Sequence, residues 1–298
     1  MSDTPSTLHC PAGSAADGAW SLSLTPERAG WTWTGLRVAD LAPGESVAFE
    51  TGPDEVLVLP LSGACVVECE TERIELAGRE SVFSGPSDFA YVPRNSVVSV
   101  ACRGEGGCRF AVPAARAQNS YPLRHVPARC ASVEARGAGN CSRLVVGYCM
   151  PDTLEADRLM VCEVFTPGGN WSSFPPHKHD EDRDGESVLE EIYYFEVADG
   201  PGGTGAAYQR VYGTPERPID VLAEVHTGDV VLVPHGWHGP SAATPGYDLY
   251  YLNVMAGPGA ERAWRICDDP AHAWVRDTWG DQPVDPRVLD ALRSGRAS

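Results

Sequence analysis

The chain is short of positive charge: 23 Lys and Arg stand against 41 Asp and Glu, a formal net charge of −18. With no basic stripe to displace counterions from phosphates, nucleic acid is not expected as a partner, and neither is a membrane surface. No apolar run approaches the roughly 20 residues of a spanning helix. The start, MSDTPSTLHC, lacks the charged and apolar segments of a signal peptide. None of the ten cysteines forms a CxxC pair, so they read as reduced thiols of a cytoplasmic protein. A Gly-rich strand-to-helix fingerprint is also missing, so no nicotinamide or nucleotide cofactor is expected.

What the chain does have is turn-formers. Among 298 residues there are 31 Gly and 25 Pro, with 43% hydrophobic and 21% charged residues, the composition of a globular protein with many short strands. Runs such as WSLSLTPERAGWTW and APGESVAFETGPDEVLVLPLSGACVV alternate apolar and polar residues between Pro-Gly turns, as strands of a sandwich or barrel do. EVLVLPLSGACVV is similar to the later EIYYFEVADGPGG, and both FAYVPRNSVV and VVLVPHGWHG end a strand on a Val-Pro step. These echoes predict two similar β-domains, over residues 1–140 and 141–298. The Pro-, Arg- and Gly-rich stretch 112–140 is the expected connection, residues 1–20 a loosely held arm, and PRVLDALRS a short helix.

The chemistry concentrates in PPHKHDEDRDGESVLEEIYY, residues 175–194, and GDVVLVPHGWHGP, residues 228–240. In an extended strand His177 and His179 share a face while Lys178 points away, so two imidazoles can reach one ion. Glu191 opens the IYYFEV run and His238 closes a second strand. Three imidazoles and a carboxylate suit one divalent transition metal, with zinc, manganese, iron and nickel not distinguished. The acidic loop 180–186 lacks the ligand order of an EF-hand and reads as solvated.

These motifs resemble the cupins and, within them, the 5-deoxy-glucuronate isomerases of the IolB type. The resemblance is carried by PGGNWSSFPPHKHD, LEEIYYFEV, AYQRVYG, GDVVLVPHGWHGP, GYDLYYLNVMAGP and DDPAHAW. It is strong in the second half of the chain and holds in outline in the first. It implies an all-β bicupin whose C-terminal barrel alone carries the metal. It also implies conversion of 5-deoxy-D-glucuronate to 2-deoxy-5-keto-D-gluconate, an aldose–ketose isomerisation of myo-inositol breakdown. The inserted DEDRDGESVL leaves the ligand carboxylate between Glu190 and Glu191; Glu191, which abuts the IYY strand as the cupin carboxylate does, is the choice taken.

A uronic acid needs a cation for its carboxylate, and guanidinium offers the bidentate match. Arg143 and Arg210 are the candidates, with Tyr193 as a hydroxyl donor to the sugar. Because Gln209 and Arg210 are neighbours on a strand, only one enters the barrel. The base for proton abstraction is left open between water on the metal, Glu163 and a tyrosine, here Tyr251, with a hydride shift as another route. The other function classes are a non-catalytic, metal-stabilised sugar-acid-binding cupin and a cupin dioxygenase. An aromatic-rich barrel face also suits a homo-oligomer, of symmetry that one chain does not fix.

Overall fold

The run DEVLVLPLSGACVVEC forms a single long strand, Asp54–Cys69, and the N-terminal half is built on it. Its first part pairs with Phe89–Val92 and Cys108–Arg116, its second with Glu72–Arg79 and Val97–Arg103. The strand can serve two parts of the sheet because it turns at Gly63, which has a φ of 73° and where a Cβ would run into the Gly107 carbonyl. Val56, Val58, Val67, Leu76, Val100 and Phe110 fill the barrel this closes. The computed structural model describes residues 8–297.

The C-terminal half consists of two facing sheets. One orders His9–Cys10, Val230–Val233, Glu190–Val197, Leu249–Ala256, Met160–Thr166, Arg143–Cys149 and Ser132–Arg136. The other contains Asp220–Val225, Ala207–Tyr212, Trp237–Ala243, His177–Lys178 and Cys267–Asp268. Between them lie Tyr193, Phe195, Val211, Val231, Leu249 and Tyr251. The larger sheet turns its back to the N-terminal half, where Leu57, Leu59 and Tyr91 share a core with Ile192, Tyr194 and Leu252. Strands buried on both faces need apolar residues at every position, which is why LVLPL and IYYF do not alternate. The all-β, two-barrel architecture is the one expected.

Two carboxylates clasp the halves reciprocally. Glu55, from the N-terminal half, accepts the backbone N–H groups of Asp157, Arg158 and Leu159 at 2.9, 2.7 and 2.8 Å. Glu190, from the C-terminal half, accepts those of Thr32, Trp33 and Thr34 at 2.8, 2.7 and 3.1 Å. Each satisfies orphaned donors at the edge of the other barrel.

Three features differ from the sequence reading. The stretch 112–140 is partly paired: Arg124–Val126 joins the N-terminal sheet, and Ser132–Arg136 pairs with Arg143–Gly147 in the C-terminal one. Backbone pairing outweighs its Pro and Gly content, and the C-terminal sheet takes strands from both sides of residue 140. Residues 1–7 of the expected arm lie outside the described residues, but His9 and Cys10 pair with Val231 and Val230, and His9 Nε2 is 3.0 Å from Asp229. The acidic loop is a hairpin, Asp180–Arg183 with Glu186–Val188, and its inward acids are ion-paired rather than solvated. The helix spans Pro286–Ala297 and docks with Val288 fully buried. No helix among the described residues is long and apolar enough to cross a membrane.

Candidate metal centre

His177 and His238 face each other as paired residues of adjacent strands, and His179 follows one strand step on. The ligand nitrogens of these three buried histidines lie within 4.8 Å of one another. Two of them, His238 and His179, are oriented by backbone groups. His238 stands before Gly239, where a Cβ would run into the Ser173 carbonyl, so only glycine lets the strand pass so close. The Nδ1 atoms of His238 and His179 lie 3.0 and 3.3 Å from the carbonyls of Gly236 and Leu189. Such contacts fix the tautomer and leave Nε2 for a ligand.

Glu191 completes the cluster from the opposite sheet. Its Oε2 is 3.0 Å from His179 Nε2 and 3.1 Å from His238 Nε2. Glu190, one residue earlier, points the other way into the clasp described above. Burial would raise the Glu191 carboxyl, but the two imidazoles bring it down to about 2. Burial and the neighbouring imidazoles push His177 well below the ordinary range, so it is a neutral donor. Glu191 Oε1 is buried with no hydrogen-bond partner, and His238 Nε2, although 3.1 Å from Glu191 Oε2, makes no aligned hydrogen bond. A carboxylate oxygen and an imidazole nitrogen with unused lone pairs fit a cation.

The cluster opens onto a cavity of about 430 Å³. Tyr193 and Tyr251 line it, with ring centroids 5.2 Å apart, and the Tyr251 hydroxyl is hydrogen-bonded to Ser172 and, at 3.1 Å, to Ser173. Burial pushes the Tyr251 phenol up, so it is held protonated. Arg143 lines the same cavity, buried, donating to the Cys141 carbonyl at 3.1 Å and pairing with no carboxylate among the described residues. Burial without a counter-charge draws its guanidinium down to about 10. Arg276 stands nearby, paired with Asp268, and both guanidiniums stack on Trp279 at 5.8 and 5.0 Å.

Two predicted site residues are not brought here. Glu163 lies on Met160–Thr166 between Cys162 and Val164, which face the barrel interior, so it faces the interface instead. There Arg79 holds it through two bonds, 2.9 and 2.8 Å, and Tyr148 donates a third at 2.7 Å; it cannot act as base in the cavity. Arg210 faces outward by the ordinary alternation of its strand, opposite to the buried Ala207, Gln209 and Val211, and bonds Asp220 and the Val221 carbonyl. Gln209 is the one of the pair that enters the barrel. Conversely, the structure brings Arg276, Asp268 and the Ser172–Ser173 pair to the cavity, which the ligand spacing does not mark. The serines and Asp268 do lie inside the NWSSFPPHKHD and DDPAHAW motifs, which were the available signal, whereas Arg276 follows them with none.

Comparison with known proteins gives the chain's relatives. The sequence model of the KduI/IolB family matches residues 8–275. A 5-deoxy-glucuronate isomerase of Geobacillus kaustophilus is 43% identical over 276 residues, 92% of this chain and 96% of that relative. The one of Bacillus subtilis strain 168 is 36% identical over 255 residues, 85% of this chain and 91% of its own. The crystal structure of an IolB-like protein from Salmonella typhimurium superposes with a TM-score of 0.82 at 34% identity, covering 91% of this chain and 99% of that one. Oxalate decarboxylase of Lactobacillus farciminis shares the fold alone, with a TM-score of 0.62 at 12% identity over 89% of each chain.

Proposed function

The chain belongs to the KduI/IolB family, and from that premise we infer that it is the isomerase converting 5-deoxy-D-glucuronate to 2-deoxy-5-keto-D-gluconate in myo-inositol catabolism. The observation that carries this reading is a single cavity lined at one place by His177, the member of the His177, His179, His238 and Glu191 cluster that reaches it, and at another by a buried arginine, Arg143, without a carboxylate partner among the described residues. A sugar acid has the matching polarity: a reducing end to be polarised and a carboxylate to be anchored.

A divalent transition metal held by His177, His179, His238 and Glu191 would supply Lewis acidity to the C1 carbonyl and the C2 hydroxyl. Arg143 binds the substrate carboxylate, a bidentate contact that also removes the cost of leaving its own charge unpaired. Tyr251, protonated and oriented by Ser172 and Ser173, donates to O1 as charge develops there. It recovers a proton from the O2 hydroxyl as C2 becomes the ketone, while hydrogen moves from C2 to C1. Tyr193, on the face of the strand that carries Glu191, offers a hydroxyl to the sugar.

The test is incubation of metal-loaded protein with 5-deoxy-D-glucuronate, followed by proton NMR. Loss of the anomeric signals with appearance of the ketone product is expected, equally fast without oxygen, which separates isomerase from dioxygenase. Absence of conversion by protein carrying its metal would leave only a binding module.

A further inference from the structure

We propose that the acidic hairpin at 180–186 is a clip that sets the spacing between the two histidine-bearing loops, with Asp180 as its bridging positioning residue. The proposal rests on the metal reading above and assigns a task to an insertion that reading does not use.

One carboxylate touches both loops. Asp180 Oδ1 accepts from Lys178 Nζ at 2.7 Å, and Lys178 stands between His177 and His179. Asp180 Oδ2 accepts the backbone N–H of Gly236 at 2.9 Å, two residues before His238, and is 2.9 Å from Arg217 Nη1. The Lys178 ammonium is held from both sides as well. It lies 2.7 Å from Glu186 Oε1 and 5.5 Å from the ring centre of Trp237, the neighbour of His238.

Glu186 makes the hairpin rigid. Its Oε1 also accepts the backbone N–H of Asp180 at 3.0 Å, and its Oε2 takes Arg183 at 2.7 Å. The side chains of Glu186, Asp180 and Lys178 are 0%, 7% and 8% exposed. Charges this enclosed are tolerated because they are mutually paired.

Between the two histidine-bearing strands the sheet gives little support. Strand His177–Lys178 is two residues long; it pairs with Cys267–Asp268 on one side, but on the other it meets the His238 strand at the single pair His177 and His238. Ligand sites need side chains fixed to about 0.5 Å, which one backbone pair does not provide. The side-chain clip supplies the missing restraint, and the residues that lengthen the interval from His179 to Glu191 are the ones that form it.

The experiment uses the full chain with Co²⁺ as probe, its affinity read by chelator competition and its geometry by the visible d–d band. Wild type should take one ion. Asp180→Ala should bind at least tenfold more weakly, within the roughly 10- to 100-fold range for partners that orient ligands, and with a changed band. Asp180→Asn, which keeps an acceptor for Gly236, should fall between the two. Asp184→Ala, which removes an exposed charge of the same hairpin, should match wild type. Unchanged affinity and band in Asp180→Ala would overturn the clip, as would an equal loss in Asp184→Ala, which would make charge alone the cause. If Asp180→Ala does not fold, unchanged binding by Asp180→Asn overturns it. Failure of wild type to bind Co²⁺ would instead overturn the metal reading, and the clip with it.

Discussion

The two barrels start from the same plan and fill it differently. In each, a strand at the interface carries near its start a carboxylate that caps backbone donors of the other half, Glu55 in one and Glu190 in the other. The next residue turns inward, and there the halves diverge: it is Val56 in the N-terminal barrel and Glu191 in the C-terminal one. The N-terminal interior continues with Val58, Val67, Val100 and Phe110, whereas the C-terminal interior buries His177, His179, Gln209, His238 and Asn253. Burying polar groups without partners costs free energy. The C-terminal barrel leaves Glu191 Oε1, Gln209 Nε2 and Asn253 Nδ2 in that state, and His238 Nε2 without an aligned hydrogen bond. The difference teaches that one barrel is packed for stability while the other gives up packing to present ligands.

The sharpest way to break this comparison is to interchange the roles of Glu190 and Glu191. Glu191→Gln should remove the bound metal and lower turnover by about 10³-fold or more, an effect read by metal analysis and by NMR, while leaving the fold intact. Glu190→Gln should retain one metal per chain but destabilise the protein by about 1–3 kcal/mol, seen as a lower urea midpoint. If Glu190→Gln loses the metal and Glu191→Gln keeps it, the inward assignment of Glu191 is wrong.

A second contrast lies between the two buried arginines. Arg79 has Glu163 as its counter-charge, and Arg143 pairs with no carboxylate among the described residues. An arginine awaiting the substrate should show itself in binding. Arg143→Gln is expected to raise KM for 5-deoxy-D-glucuronate roughly 10- to 100-fold, with a smaller change in kcat. Equal losses in kcat at unchanged KM would place Arg143 with the reacting atoms instead of the carboxylate.

These contrasts also explain what is legible in the sequence. The spacing of His177 and His179, and the strand carrying His238, could be read because metal ligands need fixed offsets on short strands. Strand parity puts Glu191 and Tyr193 on one face, but it does not say which face is the barrel interior. A strand apolar on both sides carries no alternation to mark its inside. That is why Glu163, on the apolar run MVCEVFT, reads as a candidate base although it faces the interface. Arg210 fails for the same reason: parity separates it from Gln209 but does not say which of the two faces inward. Arg276 enters from the 3-10 segment Ala273–Asp281, where no periodicity exists to be read.

The smallest effect on activity, and the largest separation of activity from stability, is expected at Glu163. Its carboxylate and the Arg79 guanidinium are 5% and 3% exposed and join the two halves across their shared core. Breaking one partner strands the other as a buried, unpaired charge, so Glu163→Gln should cost about 3–5 kcal/mol in urea denaturation. Turnover should nevertheless stay within about twofold, because the side chain contacts nothing in the cavity. Replacing both, Arg79→Met with Glu163→Leu, removes the charges together and should recover most of that stability, since an apolar pair of similar volume suits the surrounding Leu144, Val146 and Phe165. A large fall in kcat for the stable double variant would return Glu163 to the catalytic machinery. Unchanged kcat with restored stability would establish the pair as a fastening between a barrel that packs and a barrel that binds.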